Sequence, residues 1–180
     1  MKIIKYADYT KQSWKNGKGV TREILRSPNE GDFNWRFSMA DILESGPFSN
    51  FPGVERTLIL LTGEPIQIQH NEGPSHQLSL LTPYPFSGDW KTYATIHSVG
   101  LDFNVMIRRD FGQSKVRIQK LLKGEVKSLN GIIFIVNGEL RIENQLAQKY
   151  DTIDCQSETV EIEALSDCQM IEINIFCNAR

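Results

Sequence analysis

The sequence predicts an all-β fold, built as two small barrels of antiparallel strands fused in one chain. Three observations carry that expectation. Apolar and polar residues alternate along nearly the whole chain, and no stretch sustains a helical period. Clusters of Gly, Pro, Asn and Ser punctuate the alternating runs at close spacing, as turns do. A short pattern also recurs: "LTGEPIQIQ" (Leu61–Gln69) and "VNGELRIEN" (Val136–Asn144) both place Gly-Glu directly after an apolar run.

Taken in order, the strands expected are Thr21–Arg26, Trp35–Asp41, Arg56–Leu61, Pro65–His70 and Asp102–Arg109. "KVRIQKLL", "GIIFIVNG", "ELRIEN", "TVEIEAL" and "QMIEINIF" continue the series. A single short helical turn is expected near Asp41–Ser45. Each copy of the Gly-Glu pattern precedes a polar loop and then another strand-like run, so the two copies mark related halves. A Gly-Glu turn between strands recurs in cupin barrels, which makes the expectation a cupin-like double barrel (bicupin). Residues 1–110 would form the first barrel and 111–180 a smaller second one, packed as one compact unit.

A chain of 180 residues, 40% of them hydrophobic, is long enough for one good core or two small ones. The net charge of −2 supplies no field that favours nucleic acid or anionic lipid. Its densest basic stretch, Arg108 to Lys127, contains one aromatic, Phe111, and reads as a solvated strand face. No apolar run approaches the roughly 20 residues that cross a bilayer, and the N-terminus has no apolar leader region. Three cysteines, Cys155, Cys168 and Cys177, form no C-x-x-C pair, which suits buried free thiols in a reducing cytoplasm.

Metal chemistry finds little support. The histidines are His70, His76 and His97, with no His-x-His among them. His70 and His76 flank a loop-like stretch and read as surface residues. No metal and no cofactor are expected. The G-x-S-x-G elbow, the P-loop and the G-x-G-x-x-G fingerprint are absent, and Asn16–Gly19 is too short a turn to cradle a diphosphate.

Polar residues embedded in strand-like runs are the informative feature. In "WRFSMAD", a period of two puts Trp35, Phe37 and Met39 on one face and Arg36, Ser38 and Ala40 on the other. In "DFNVMIRR", Phe103, Val105 and Ile107 share one face, and Asp102, Asn104, Met106 and Arg108 the other. Each second face mixes an arginine, a small polar group and an apolar residue, as the wall of a ligand cavity does. Arg recognises a carboxylate with two parallel bonds, and Asn adds a donor and an acceptor. The alternative reading turns Arg36 and Arg108 outward, paired with Glu23 or Asp102 on a wet surface. On pattern alone the two stand level.

The blocks "SWKNGKGVTREI", "FNWRFSMADILESGPFSNFPGVERTLILLTGE", "PFSGDW" and "DFNVMIRR" resemble the HutD/Ves family of cupin-like bacterial proteins, in the family's order from Trp14 to Arg109. Trp14, Asn16, Gly17, Gly19, Thr21, Arg22 and Glu23 match its first motif, with Lys18 where a glycine is usual. Gly46-Pro47-Phe48-Ser49, Phe51-Pro52-Gly53, Arg56, Gly88-Asp89 and Asp102-Phe103-Asn104 match the others, with Glu55 where Asp is common. The resemblance implies a two-barrel cupin protein without the metal-binding histidines. One branch of the family is linked with histidine utilisation and the other with stress response.

Three functions follow as expectations. The first is a regulatory protein that binds a small anionic metabolite in the first barrel. Arg36 and Asn104 would be the principal donors, with Ser38 beside them, Arg22 and Arg108 as further donors, and Trp14 and Phe48 as apolar walls. A histidine-breakdown intermediate such as formylglutamate or urocanate has the required character. The second is a metal-independent enzyme acting on a small acid, with Glu23 or Asp102 as general base. The third is a protein-interaction module using the second barrel. Cupins often form homodimers, and no feature of this sequence fixes the oligomeric state.

Overall fold

Alternating residues without a helical period leave the backbone one way to pair its N–H and C=O groups, in sheet ladders. The computed structural model, which describes residues 1–14 and 19–178, has that form throughout. After β1 (Lys2–Ile4) and a 3-10 turn at Tyr6–Asp8 come β2 (Thr10–Ser13), β3 (Val20–Ser27), β4 (Trp35–Ile42), β5 (Gly46–Pro47) and β6 (Val54–Thr62). There follow β7 (Ile66–His70), β8 (Ser75–Leu78), β9 (Tyr84–Ser87), β10 (Thr92–Thr95) and β11 (Gly100–Arg108). The remaining strands are β12 (Gly112–Leu121), β13 (Val126–Asn137), β14 (Glu139–Ile142), β15 (Gln145–Gln148), β16 (Thr152–Ala164) and β17 (Cys168–Cys177).

Two compact units result, Thr10–Gln113 with Cys177–Arg180, and Met1–Tyr9 with Ser114–Phe176. The division expected after residue 110 therefore lies near 113, and the chain's first segment belongs with the C-terminal unit. The reason is β1, which pairs antiparallel with β16, Lys2 opposite Asp154. Lys5 Nζ holds Asp151 at 2.9 Å, and the Tyr9 hydroxyl lies 2.7 Å from Thr152 Oγ1.

In the N-terminal unit a six-stranded sheet runs β2-β3-β4-β11-β6-β9, and a four-stranded sheet runs β5-β10-β7-β8. Ile42, Leu58 and Leu60 from the first meet Ile66, Ile68 and Leu78 from the second in a shared buried cluster. On the other face of the six-stranded sheet, Trp35, Phe37 and Phe103 stack with ring centroids 5.0 and 6.5 Å apart. The C-terminal unit is one seven-stranded sheet, β12-β17-β13-β16-β14-β15 with β1 also on β16. Its core is packed around fully buried Ile133, Ile135, Leu140, Ile153, Ile162 and Met170.

The repeated Gly-Glu sits at the same kind of corner in both units. Gly63 (φ 100°) ends β6 and Gly138 (φ 96°) ends β13, each in the left-handed region that favours glycine. After Gly63 the chain leaves the six-stranded sheet for the four-stranded one, and after Gly138 it turns to pair with β15 and the end of β16. No room exists for a side chain at either place. A Cβ would stand 2.8 Å from the Val99 carbonyl oxygen at Gly63, and 2.6 Å from that of Asp167 at Gly138.

Several short strands escape the sequence pattern because they bury almost nothing. All of β2 is exposed, and β8 buries only Leu78, so no alternation marks them. The helical turn expected at Asp41–Ser45 is instead the end of β4 followed by a bend. Cys155 and Cys168 are buried as expected, whereas Cys177 is exposed near the end of β17. No helix among the described residues is long and apolar enough to cross a membrane.

Gly138→Ala and Gly63→Ala should each cost about 1–3 kcal/mol, combining a strained backbone with a displaced neighbour. Urea unfolding of the two variants measures this, and wild-type midpoints would contradict the tight corners.

Candidate functional site

The central strands of the six-stranded sheet, β4, β11 and β6, form the floor of a cavity of about 620 Å³. In register, Asn104 lies opposite Ser38 and Leu58, Asp102 opposite Ala40 and Leu60, and Met106 opposite Arg36 and Arg56. Period two therefore gathers Arg36, Ser38 and Ala40 with Asp102, Asn104 and Arg56 on one face, and all of them line the cavity. Trp14 and Thr21 stand at one side, joined by a 2.9 Å bond from the indole N–H to Thr21 Oγ1. Phe48, Ser49 and Phe51 come from the loop after β5.

Arg56 is the centre of this arrangement. Its side chain is buried, with the residue 6% exposed. Nε and Nη2 both donate to Asn104 Oδ1 at 3.2 Å, and Nη1 donates to the Ser49 carbonyl at 3.1 Å. The guanidinium carbon lies 4.8 Å from the Phe86 ring centroid, 5.2 Å from Phe51 and 5.6 Å from Phe48. These ring faces compensate part of the lost hydration of the cation. Burial pushes the Arg56 pKa down to about 10, against the opposing pull of Asp102, and Arg36 adds to the lowering. The group is still a cation at neutral pH. Three of its five N–H groups find acceptors among the described residues, leaving one on each terminal nitrogen. Asn104 has committed its oxygen to Arg56, so its remaining polar group is the NH₂ donor.

The aromatic loop over Arg56 is fastened from outside the floor. Phe48 N–H donates to Thr92 O and Phe51 N–H to Gly88 O, each at 2.9 Å. Gly88 must lack a side chain, because a Cβ would lie 2.5 Å from Phe51 O and 2.8 Å from Val54 O. Asp89 accepts from the Gly53 backbone at 2.9 Å and pairs with Arg109, which also holds Glu55 at 2.8 Å. The Gly53 N–H and then Arg109 hold the Asp89 carboxyl below its usual range.

Asp102 is the second unusual group. It is 4% exposed, and its Oδ1 is buried with no hydrogen-bond partner among the described residues. Burial pushes its pKa up to about 7, opposed by Arg56 and a hydrogen bond from the Ala40 backbone, and assisted by Asp41.

Of the residues singled out in the sequence, Arg36, Ser38, Asn104, Trp14, Phe48 and Asp102 line this one cavity. Arg36 lines the cavity while pairing with Glu23, Nε to Oε2 at 2.6 Å, so the expected ion pair forms without turning the side chain outward. Glu23, the other candidate base, is engaged with that cation and is not among the residues that line the cavity. Two further expectations need correction. Arg22 is not among the lining residues and pairs with Asp41 at 3.0 Å. Arg108 sits at the last position of β11, where the chain turns. Its exposed guanidinium grips Asp110 at 2.7 Å, and it lines a separate hollow of about 250 Å³ with Asp32 and Phe33. Asn16, Gly17 and Lys18 of the glycine-rich turn lie outside the described residues.

His70 also departs from expectation. It ends β7 half-buried, with Nδ1 2.9 Å from Thr92 Oγ1 and Nε2 3.0 Å from the Tyr84 hydroxyl. Phe86 and Trp90 flank its ring at 5.0 and 4.9 Å, and burial holds its pKa below the usual imidazole value. Among the described residues, no group of three or more His, Cys, Asp and Glu side chains is placed to hold a metal ion.

Antiparallel sheets around a partly polar cavity define a cupin-like protein. A cupin conserved-barrel protein from Leptotrichia buccalis superposes with a TM-score of 0.61 at 11% identity, over 97% of this chain and 96% of that one. Within that class the chain belongs to the HutD family, whose profile matches residues 6–172. Protein Ves of Escherichia fergusonii is 38% identical over 128 residues, 69% of this chain and 67% of that protein. HutD from Pseudomonas fluorescens is 27% identical with a TM-score of 0.77, covering 97% of this chain and 98% of that one.

The raised Asp102 pKa has a defined effect on stability. Its carboxyl favours the folded state at pH below about 4, and that contribution is lost as pH rises through about 7. Asp102→Asn should therefore stabilise the protein more at pH 8 than at pH 5, by roughly 2–3 kcal/mol. Urea unfolding at both pH values tests this, and an equal effect at both would refute the buried carboxyl.

Proposed function

We propose that this protein binds a small carboxylate metabolite in the cavity, with Arg56 as the principal cation and Asn104 and Arg36 beside it. The observation that carries the reading is the buried guanidinium, which keeps one N–H on each terminal nitrogen while aromatic rings and Asn104 fix its plane. A carboxylate supplies two acceptor oxygens at once, and each charge-assisted bond contributes about 1.5–3 kcal/mol net. Phe48, Phe51 and Met106 give the carbon skeleton apolar contact. The family's association with histidine breakdown directs attention to urocanate and formylglutamate. A regulatory or sensing role in the cytoplasm fits such a binding site.

One observation favours turnover as a second reading. Asp102 faces the same cavity with a pKa near the operating pH, as a general base would. Loss of turnover with retained binding in Asp102→Asn would identify an enzyme.

A thermal-shift panel of histidine, urocanate, formiminoglutamate, formylglutamate and glutamate tests binding. A ligand at about 100 times its Kd adds roughly 2.7 kcal/mol of apparent stability, a rise of several degrees in Tm. That rise should vanish in Arg56→Lys, which keeps the charge and loses the planar fork, and should shrink in Arg36→Ala. Silence from every acid would end the carboxylate reading.

A further inference from the structure

Asp102 is the one cavity-lining carboxylate with a buried oxygen that no described residue satisfies. An unpaired buried carboxylate is costly, and the same oxygen as O–H is a donor in search of an acceptor. Resting on the carboxylate reading of the cavity, we propose that Asp102 contacts the ligand directly and binds it as the neutral acid, donating a hydrogen bond to an acceptor oxygen. The cavity then takes up the acid together with a proton from solvent.

The charges around Asp102 set the direction. On β11 its cavity-side neighbour is neutral Asn104, and from β6 the facing charge is Arg56. From β4 come Asp41, held by Arg22 of β3, and Arg36, held by Glu23 of β3. Glu44, just beyond β4, also lines the cavity. Arg56 is thus the principal cation that favours an ionised Asp102, while burial and Asp41 oppose it. A carboxylate arriving at Arg56 cancels that help and adds a like charge, so proton uptake follows from Coulomb's law. An ammonium group would have the opposite effect, favouring ionised Asp102 and releasing a proton. The sign of the proton change therefore reports the chemical class of the ligand.

The probe is N-formylglutamate, whose carboxyl groups stay ionised between about pH 5.5 and 8.5. Calorimetric titration at pH 7 in HEPES and in Tris, buffers of unlike ionisation enthalpy, reads the proton change. The expected uptake is about half a proton per ligand, with Kd weakening about tenfold per pH unit above 7 and level below 6. Asp102→Asn keeps an N–H donor and loses the titration, so it should bind with a flat pH profile and no uptake. Binding with no proton change, or with release, overturns the proposal and leaves the carboxylate reading standing. A pH slope that persists in Asp102→Asn also overturns it and points to His70, which feels the charge of Arg56. No heat from wild type at any pH overturns both.

Discussion

The buried guanidinium of Arg56 is the constraint around which the N-terminal unit is arranged. A cation in that position needs acceptors and polarisable neighbours, since its hydration is gone. Asn104 provides the carbonyl oxygen from the adjacent strand, Ser49 provides a backbone carbonyl from the loop, and three phenylalanines provide ring faces. Each of those partners has its own support. Asn104 is positioned by ladders on both sides, while Phe48 and Phe51 are tied to Thr92 and Gly88. The sequence blocks around Gly46–Gly53, Gly88–Asp89 and Asp102–Asn104, distant along the chain, are the parts of one arginine's enclosure.

Much of that arrangement was readable in advance, and the misses have physical causes. Alternation in Trp35–Asp41 and Asp102–Arg109 assigns the right residues to the cavity face because both strands are regular and flanked by partners. Period two places Arg108 on that face too, but it stands where β11 ends, and strand logic stops with the strand. In the sequence Arg56 stands out as the first residue of an apolar run and as a motif match, neither of which marks it as a ligand-binding group. The signal that could have found it is that Arg56, Leu58 and Leu60 share a parity, so a charge is joined to two core positions. Arg22 shares a sequence motif with cavity residues, but the strand alternation that brings Thr21 to the cavity leaves Arg22 out of its lining. His70 reads as part of a loop in the sequence because its support, Thr92 and Tyr84, is supplied by other strands. The division between units was the least legible feature, since β1 is completed by residues about 150 positions later.

That late pairing has a consequence for biosynthesis. Lys2–Ile4 leave the ribosome long before Thr152–Asp154, the stretch of β16 that receives them. At roughly 5–20 residues per second, the delay is on the order of ten to thirty seconds. The strands from Thr10 to Arg108 pair among themselves and can all emerge within that interval. β1 thus waits with an unsatisfied edge while its neighbours in sequence assemble. Until Thr152–Asp154 emerge, a nascent chain of this protein carries a short segment whose destination has not yet been made.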